Sequence, residues 1–249
     1  ILSGAVALDP KVARGFHDLG FVFSQGYGLT ETAPLVAGIP DFETDINGYK
    51  KAGSCGPALP QGELRIDRPN DDGIGEIMYK GPNVMMGYYN MPEETAEVLQ
   101  DGWFATGDLG FLDENGWLYI TGRKKNVIVT KTGKNIYPEE IEKYLADIDY
   151  ISECMVYGTD SEDGNDTIVS VQVRINDEAV EEAIGKNYSD EEVYKLIRAE
   201  IADINMKLPN WKRIRHIVIR KTDFIKTTTK KIKRQDNIEL LDEDMFTLK

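Results

Sequence analysis

Two β-prone runs broken by one turn constrain the fold of this chain more than anything else in it. Trp103 to Leu112 and Trp117 to Thr121 are rich in aromatic and apolar residues, and Asp113-Glu114-Asn115-Gly116 separates them. The pattern predicts a hairpin with Gly116 at its positive-φ corner. Antiparallel pairing then brings Asp108, near the end of the first run, beside Arg123, just past the second. A carboxylate and a guanidinium at one sheet end can accept from a sugar diol or donate to a phosphate. By themselves they read more readily as a surface ion pair.

Upstream, Asp9-Pro10 predicts a helix start, running to about Leu19 with Val12, Phe16 and Leu19 on one face. Phe21 to Ser24 then reads as a short buried strand that delivers Gln25-Gly26-Tyr27-Gly28-Leu29-Thr30-Glu31-Thr32. Two glycines there let backbone approach a ligand, while Tyr27 offers a flat face, Thr30 a hydroxyl and Glu31 a hard oxygen. A turn built on a structural tyrosine explains the same residues. Between Gly48 and Gly122 the chain is β-rich, with strands at Glu63–Ile66 and Gly75–Tyr79 ahead of the hairpin, which suits a small barrel or sandwich. Pro92 starts a short helix to about Leu99; Gly87-Tyr88-Tyr89-Asn90 reads as packing, and Met85 and Met86 as core filler.

Beyond Lys124 strands and helices alternate. Val127–Val129, Ile151–Tyr157 and Thr167–Ile175 are strands, Arg215–Arg220 is the last one, and Pro138 opens a helix with acids in its favoured first turn. Ser189-Asp190-Glu191-Glu192 is a capping box for a helix to about Met206. Glu178 to Asn187 reads as a polar surface excursion, and the tail from Asp236 as loosely packed. The expected class is α/β, becoming α+β after residue 124.

Charge narrows the partners. The net charge of −14 argues against nucleic acid, yet Lys207 to Arg234 holds eleven Lys or Arg and one acid, Asp223. A basic segment on an acidic chain suits a small polyanion such as a nucleotide polyphosphate. Cys55 and Cys154 form no ligand motif, and His17 and His216 sit in apolar contexts that read as structural. No apolar run approaches the ~20 residues of a membrane-spanning helix, which leaves peripheral membrane contact open. A reduced, cytoplasmic setting is the expectation, with the oligomeric state undetermined.

The order of pieces carries a resemblance. WFATGDLGFLDENGWLYITGRKKNVIVTKTGKNIYPEEIE, preceded by QGYGLTET and followed by KTTTKKIKR, resembles the core signatures of the adenylate-forming superfamily. KTGKNIYPEEIE looks most like the bacterial long-chain acyl-CoA synthetases. The resemblance implies an enzyme that joins a carboxylic acid, of the fatty class, to ATP with Mg2+ and then passes the acyl group to CoA. It implies that Asp108 and Arg123 bind the ribose, Tyr27 stacks on adenine, Thr30 bonds phosphate, and Glu31 helps hold magnesium. SGAVALDP resembles the adenine-flanking segment, which implies contacts around Gly4 and Ala5. Lys125 would be the hinge of a mobile C-terminal domain, and Gly133 would line a pantetheine tunnel.

The catalytic lysine falls on Lys231, because Lys226, Thr227, Lys231, Ile232 and Arg234 match the family pattern. Lys230 stands where the family has glycine and cannot take positive φ cheaply. The implied layout is 1–47 as the end of a large α/β subdomain, 48–123 as its β-rich, barrel-like subdomain, and 124–249 as the mobile domain. The family's Ser/Thr/Gly-rich phosphate loop has no counterpart here. The chain is therefore expected to be the C-terminal portion of a longer enzyme, inactive alone. An adenylation domain loading a carrier protein, or a non-catalytic interaction module, would keep much of the same sequence.

Overall fold

The chain begins with a parallel pairing: β1 (Leu2–Ser3) lies beside β2 (Ser24–Tyr27), and α1 (Pro10–Asp18) connects them. The computed structural model describes residues 2–4, 10–21, 24–40, 51, 53–161, 164–240 and 245–246. The strand expected at Phe21–Ser24 starts three residues later, and Phe21 is exposed. Residues 22–23 lie outside the description, as does the Asp9 cap. Val12 and Leu19, expected on a buried face of α1, are exposed.

Two compact units follow from the contacts, Ile1–Lys125 and Asn126–Lys249. In the first, β3 (Ala37–Gly38) pairs antiparallel with β2. A separate antiparallel sheet contains β4 (Glu63–Asp67), β5 (Gly75–Lys80), β6 (Leu99–Gln100), β7 (Trp103–Leu112) and β8 (Leu118–Arg123), with α2 (Pro92–Val98) leading into β6. The central strand β7 pairs with β5, β6 and β8. Its alternate residues Phe104, Thr106 and Asp108 are buried, so the period of two places a carboxylate on the inward face. The turn forms at Asp113, whose Oδ1 accepts from the amides of Asn115 and Trp117 at 2.9 Å each.

In the second unit β9 (Ile128–Val129) and β10 (Asn135–Ile136) form a small hairpin. A four-stranded mixed sheet runs in the order β11 (Ile151–Asp160), β12 (Thr167–Ile175), β13 (Ile214–Arg220), β14 (Met245–Phe246). Three helices, α3 (Pro138–Leu145), α4 (Asp177–Ile184) and α5 (Asp190–Lys207), bury Ile141, Leu145, Val180, Val193, Ile197 and Ile201 in one core with Val156, Val171 and Val173. The neighbouring strand positions face the other way. There Met155 and Tyr157 pack with Phe224, Ile232 and Ile238.

Three expectations fail here. The stretch taken as a surface excursion holds α4, which the Asn176 side chain caps and Val180 anchors. Val180 and Ile184, four apart, were masked by the acids around them. Arg215–Arg220 is not the last strand, because β14 pairs with β13. Nor is the tail loose at its start, for α6 (Arg234–Glu239) buries Asn237 completely.

Candidate functional site

Thr106-Gly107-Asp108 is a bulge that aims a carboxylate. Residues 104 and 105 pair with Tyr79 and Met78, and Leu109 with Glu76, so β7 sets three residues, 106 to 108, against the single Ile77 of β5. Thr106 Oγ1 donates to the Ile77 carbonyl at 2.8 Å and accepts from the Asp108 amide at 3.1 Å. Gly107 takes φ +70°, which a side chain would strain. Bulges re-aim side chains in this way. Asp108 lies opposite Arg123 in the β7–β8 register, and Arg123 Nε meets Asp108 Oδ1 at 2.8 Å.

Tyr27 completes the group, donating its hydroxyl to Asp108 Oδ2 at 2.6 Å. Burial first, and then the Asp108 charge, push the Tyr27 pKa up, so the phenol stays a donor. Tyr27 is itself buried among Val36, Ala37, Cys55, Ile77, Tyr79 and Leu118. Asp108 is only 7% exposed while the Arg123 side chain is about half open, so the group presents a fixed anion beside a reachable cation. Gly4 follows β1, and a Cβ there would lie 3.7 Å from the Gly26 carbonyl, which places it next to the strand that carries Tyr27. Ala5 lies outside the described residues.

Thr30 and Glu31 stand on a single 3-10 turn, Thr30–Thr32. Thr30 is exposed, and Thr32 is buried, its hydroxyl bonding both the amide and the carbonyl of Leu29. The stretch from Asn83 to Tyr88 clamps this turn. Asn83 Nδ2 donates to the carbonyls of Thr32 and Leu35, the Met85 amide donates to the Glu31 carbonyl at 2.8 Å, and the Tyr88 hydroxyl donates to Glu31 Oε1 at 3.0 Å. Burial, then Glu31, raise the Tyr88 pKa. Tyr88, read from the sequence as packing, instead holds the Glu31 carboxylate through its hydroxyl. Met86 is fully exposed and Tyr89 nearly so, which also corrects their reading as filler and packing. The signal lay in the asymmetry of the segment, two tyrosines between Gly87 and Asn90, only one of which can point inward.

In the second unit, residues 226–232 form a narrow loop closed by a bridge between Lys226 and Ile232. Two of its flanking cations are spoken for: Lys226 pairs with Glu153 at 2.6 Å, and Arg234 makes two 2.8 Å bonds to Glu142. The Lys231 ammonium is exposed and bonds to no described residue. Lys230 occupies φ +62°, so the turn that glycine would favour is kept by a lysine. Lys230 thus adopts the positive φ that the sequence reading said it could not take cheaply.

Gly133 sits at φ +79° in the β9–β10 turn, with nothing within 4 Å of a Cβ. Lys125 lies in the 3-10 turn Lys124–Asn126. Lys124 is tied to Glu76 in the first unit at 2.6 Å, and Asn126 to Glu139 in the second at 2.8 Å. Lys125, between them, has no such tie among the described residues.

The donor set fits nucleotide and magnesium. Asp108 with Arg123 suits a vicinal diol, and Glu31 offers the single carboxylate that magnesium commonly takes alongside substrate phosphates. Among the described residues no three His, Cys, Asp or Glu cluster as an all-protein cage, and no helix is long and apolar enough to cross a membrane.

Residues 1–89 match the family described as AMP-binding enzyme, and residues 125–245 match the AMP-binding enzyme C-terminal domain. The chain is 37% identical over 216 residues to the indoleacetate–CoA ligase of Aromatoleum aromaticum, an overlap of 84% of this chain and 39% of that enzyme. Against the long-chain-fatty-acid–CoA ligase of Bacillus subtilis it is 42% identical over 164 residues, 63% of this chain and 28% of that one. Among solved structures, o-succinylbenzoate CoA synthetase from Bacillus subtilis in complex with an acyl-adenylate intermediate gives a TM-score of 0.78 at 26% identity, covering 96% of this chain and 46% of that one. The same enzyme in complex with ATP and magnesium ion gives 0.76 at 27%, over 94% and 45%. This chain therefore spans less than half the length of each of these proteins.

Proposed function

The chain belongs to the adenylate-forming, AMP-binding enzyme family, and from that premise we propose that it is the nucleotide-gripping and mobile portion of an AMP-forming acid–CoA ligase. The observation that carries this reading is the in-register Asp108–Arg123 pair with the Tyr27 hydroxyl on its second oxygen. A carboxylate held at both oxygens by protein donors keeps lone pairs for two ribose hydroxyls and cannot swing away. That fixes where the α-phosphate stands.

Adenylation sets a carboxylate against the α-phosphorus of ATP, forming the mixed anhydride and releasing pyrophosphate. Two anions must meet while charge builds on phosphate oxygens, so catalysis is positioning and electrostatic stabilisation. Lys231 supplies the ammonium, bridging the carboxylate and α-phosphate oxygens. Thr30 offers its hydroxyl to phosphate, and Glu31 would hold magnesium, which supplies further charge neutralisation when bound. The CoA thiol then attacks the acyl carbon and AMP leaves. In that half-reaction the domain beyond Lys125 presents another face, and Gly133 leaves room for the pantetheine arm.

The acid is the finer part of the reading. We assign a fatty acid on the likeness of KTGKNIYPEE to the bacterial long-chain enzymes and on the Bacillus relative. Indoleacetate and o-succinylbenzoate enzymes are similar too, so the acyl pocket and not this nucleotide site decides it.

The test uses the complete enzyme. Asp108→Ala is expected to raise the ATP KM at least tenfold in ATP–pyrophosphate exchange, and a panel of acids is expected to favour long alkyl chains. Undiminished ATP affinity in Asp108→Ala would overturn the nucleotide reading. A preference for aromatic acids would overturn only the fatty-acid assignment.

A further inference from the structure

A fully buried arginine, Arg220, lies in the second unit with its guanidinium hydrogen-bonded to side chains and backbone around it. Its Nη1 donates to Gln172 Oε1 at 2.7 Å and to Asn237 Oδ1 at 3.0 Å, and its Nη2 to the Asp223 carbonyl at 3.2 Å. The Phe224 ring lies 4.5 Å from its Cζ. A charge out of water is costly unless its donors are met, so this environment has value beyond packing.

Asn237, also fully buried, shows where that value goes. Oδ1 accepts from Arg220 and from the Ile225 amide at 3.0 Å. Two donors on one oxygen settle the amide orientation, so Nδ2 must face the opposite side. There it donates to the carbonyls of Ile225, at 2.9 Å, and Lys233, at 2.7 Å. The Lys233 amide closes the same ring on the Ile225 carbonyl at 3.0 Å. One side chain therefore grips both ends of the loop that projects Lys231. Inside the loop, the Thr227 amide bonds the Lys231 carbonyl at 2.8 Å, and the Lys231 amide bonds Thr227 Oγ1 at 3.1 Å.

We propose that Asn237, oriented by Arg220 and Gln172, is the positioning residue that holds the Lys231 loop in one conformation for adenylation. That it acts on adenylation rests on the function proposed above; that it orders the loop does not. Being buried, Asn237 touches no substrate and acts only through Lys231.

The test starts with this chain. Asn237→Asp keeps the acceptor for Arg220 and Ile225 but turns the donor half into an oxygen facing two carbonyls. Amide hydrogen exchange at Thr227, Lys230 and Lys231, and tryptic cutting after Lys230 and Lys231, are expected to speed up at least tenfold, with β12 and α5 unchanged. Ile201→Val, a core cut under α5, is expected to lower melting temperature without loosening the loop. A folded Asn237→Asp with wild-type loop protection overturns the proposal, as does equal loosening by Ile201→Val. Should Asn237→Asp not fold, the wild-type chain still decides: the Asn237 side-chain amide protons are expected to exchange slowly, and rapid exchange overturns it.

In the complete enzyme Asn237→Asp is expected to lower adenylation kcat at least tenfold with the ATP KM little changed, and to leave conversion of supplied acyl-adenylate to thioester near wild type. Equal loss in both half-reactions overturns the positioning role. If Lys231→Ala leaves adenylation intact, the proposed function fails while the loop-ordering result stands.

Discussion

Tyr27 and Asp108, eighty-one residues apart, are joined by a 2.6 Å hydrogen bond that ties the first strand pair to the central strand of the antiparallel sheet. Bonds to a charged partner contribute ~1.5–3 kcal/mol, and a buried carboxylate left short of a donor costs more than a neutral one. Tyr27→Phe is expected to lower stability of the chain by roughly 2 kcal/mol in urea unfolding. Adding Asp108→Asn is expected to recover part of that loss, since the charge needing the donor is gone. Strict additivity of the two changes would show that the bond is not energetically coupled.

Tyr88→Phe separates holding Glu31 from holding the turn. The Met85 and Asn83 bonds to the turn remain, so the backbone of Thr30–Thr32 should not move. Glu31 alone loses its donor. In the complete enzyme the magnesium concentration giving half-maximal exchange is expected to rise about three- to tenfold, equivalent to roughly 1 kcal/mol for one hydrogen bond. An unchanged magnesium titration would leave Tyr88 without that role.

Lys230→Gly tests a conformation rather than a contact. An L-residue in the left-handed region costs roughly 1–2 kcal/mol, and glycine returns about 0.5–1 kcal/mol of that through its unfolded-state entropy. The substitution is expected to raise the melting temperature slightly, by about 1–3 °C for a gain below ~1 kcal/mol. A lower melting temperature would mean that the Lys230 stem packs more usefully than its exposure suggests.

Asp113 gives the acid limb. Burial works against its charge, but the Trp117 amide, Lys51 and the Asn115 amide hold its pKa below the usual carboxylate range. A depressed folded pKa means stability present above the unfolded value, near ~4, and lost as pH falls through the folded one. Asp113→Asn keeps the Oδ1 acceptor and loses the Lys51 pair, so it is expected to cost at most ~1 kcal/mol at pH 7 and less at pH 2. Equal costs at both pH values would contradict the assignment.

How far the sequence carried depended on range. The hairpin gave Asp108 opposite Arg123 because turn chemistry and a period of two fix register locally. Ser189–Glu192 gave the α5 cap for the same reason, a reciprocal bond within four residues. What stayed hidden was long-range. Nothing near Asn237 says that it will be buried under Arg220 and Gln172, because polar residues are usually exposed and only the assembled sheet brings those three together. Tyr88 was hidden by the same rule, its partner lying 57 residues upstream. At Lys230 propensity signals a cost, and only the surrounding loop bonds show that the chain bears it.

Lys231 and Gly133 are expected to fail in opposite half-reactions when changed in the complete enzyme. On the proposed function, Lys231→Ala removes an ammonium needed only while the α-phosphate is attacked, and losing such a group costs on the order of 3 kcal/mol or about 100-fold in rate. Supplied acyl-adenylate should still become thioester at near the normal rate. Gly133 needs two variants, because its φ of +79° strains any side chain placed there. Gly133→Ala and Gly133→Trp share that strain and differ in bulk, and open space around the position spares the fold of its own unit. Thioester formation is therefore expected to survive alanine and be lost with tryptophan, with adenylation near normal in both. Lys230→Ala checks the register of the catalytic lysine. Loss of adenylation in Lys230→Ala with retention in Lys231→Ala would move the assignment by one residue.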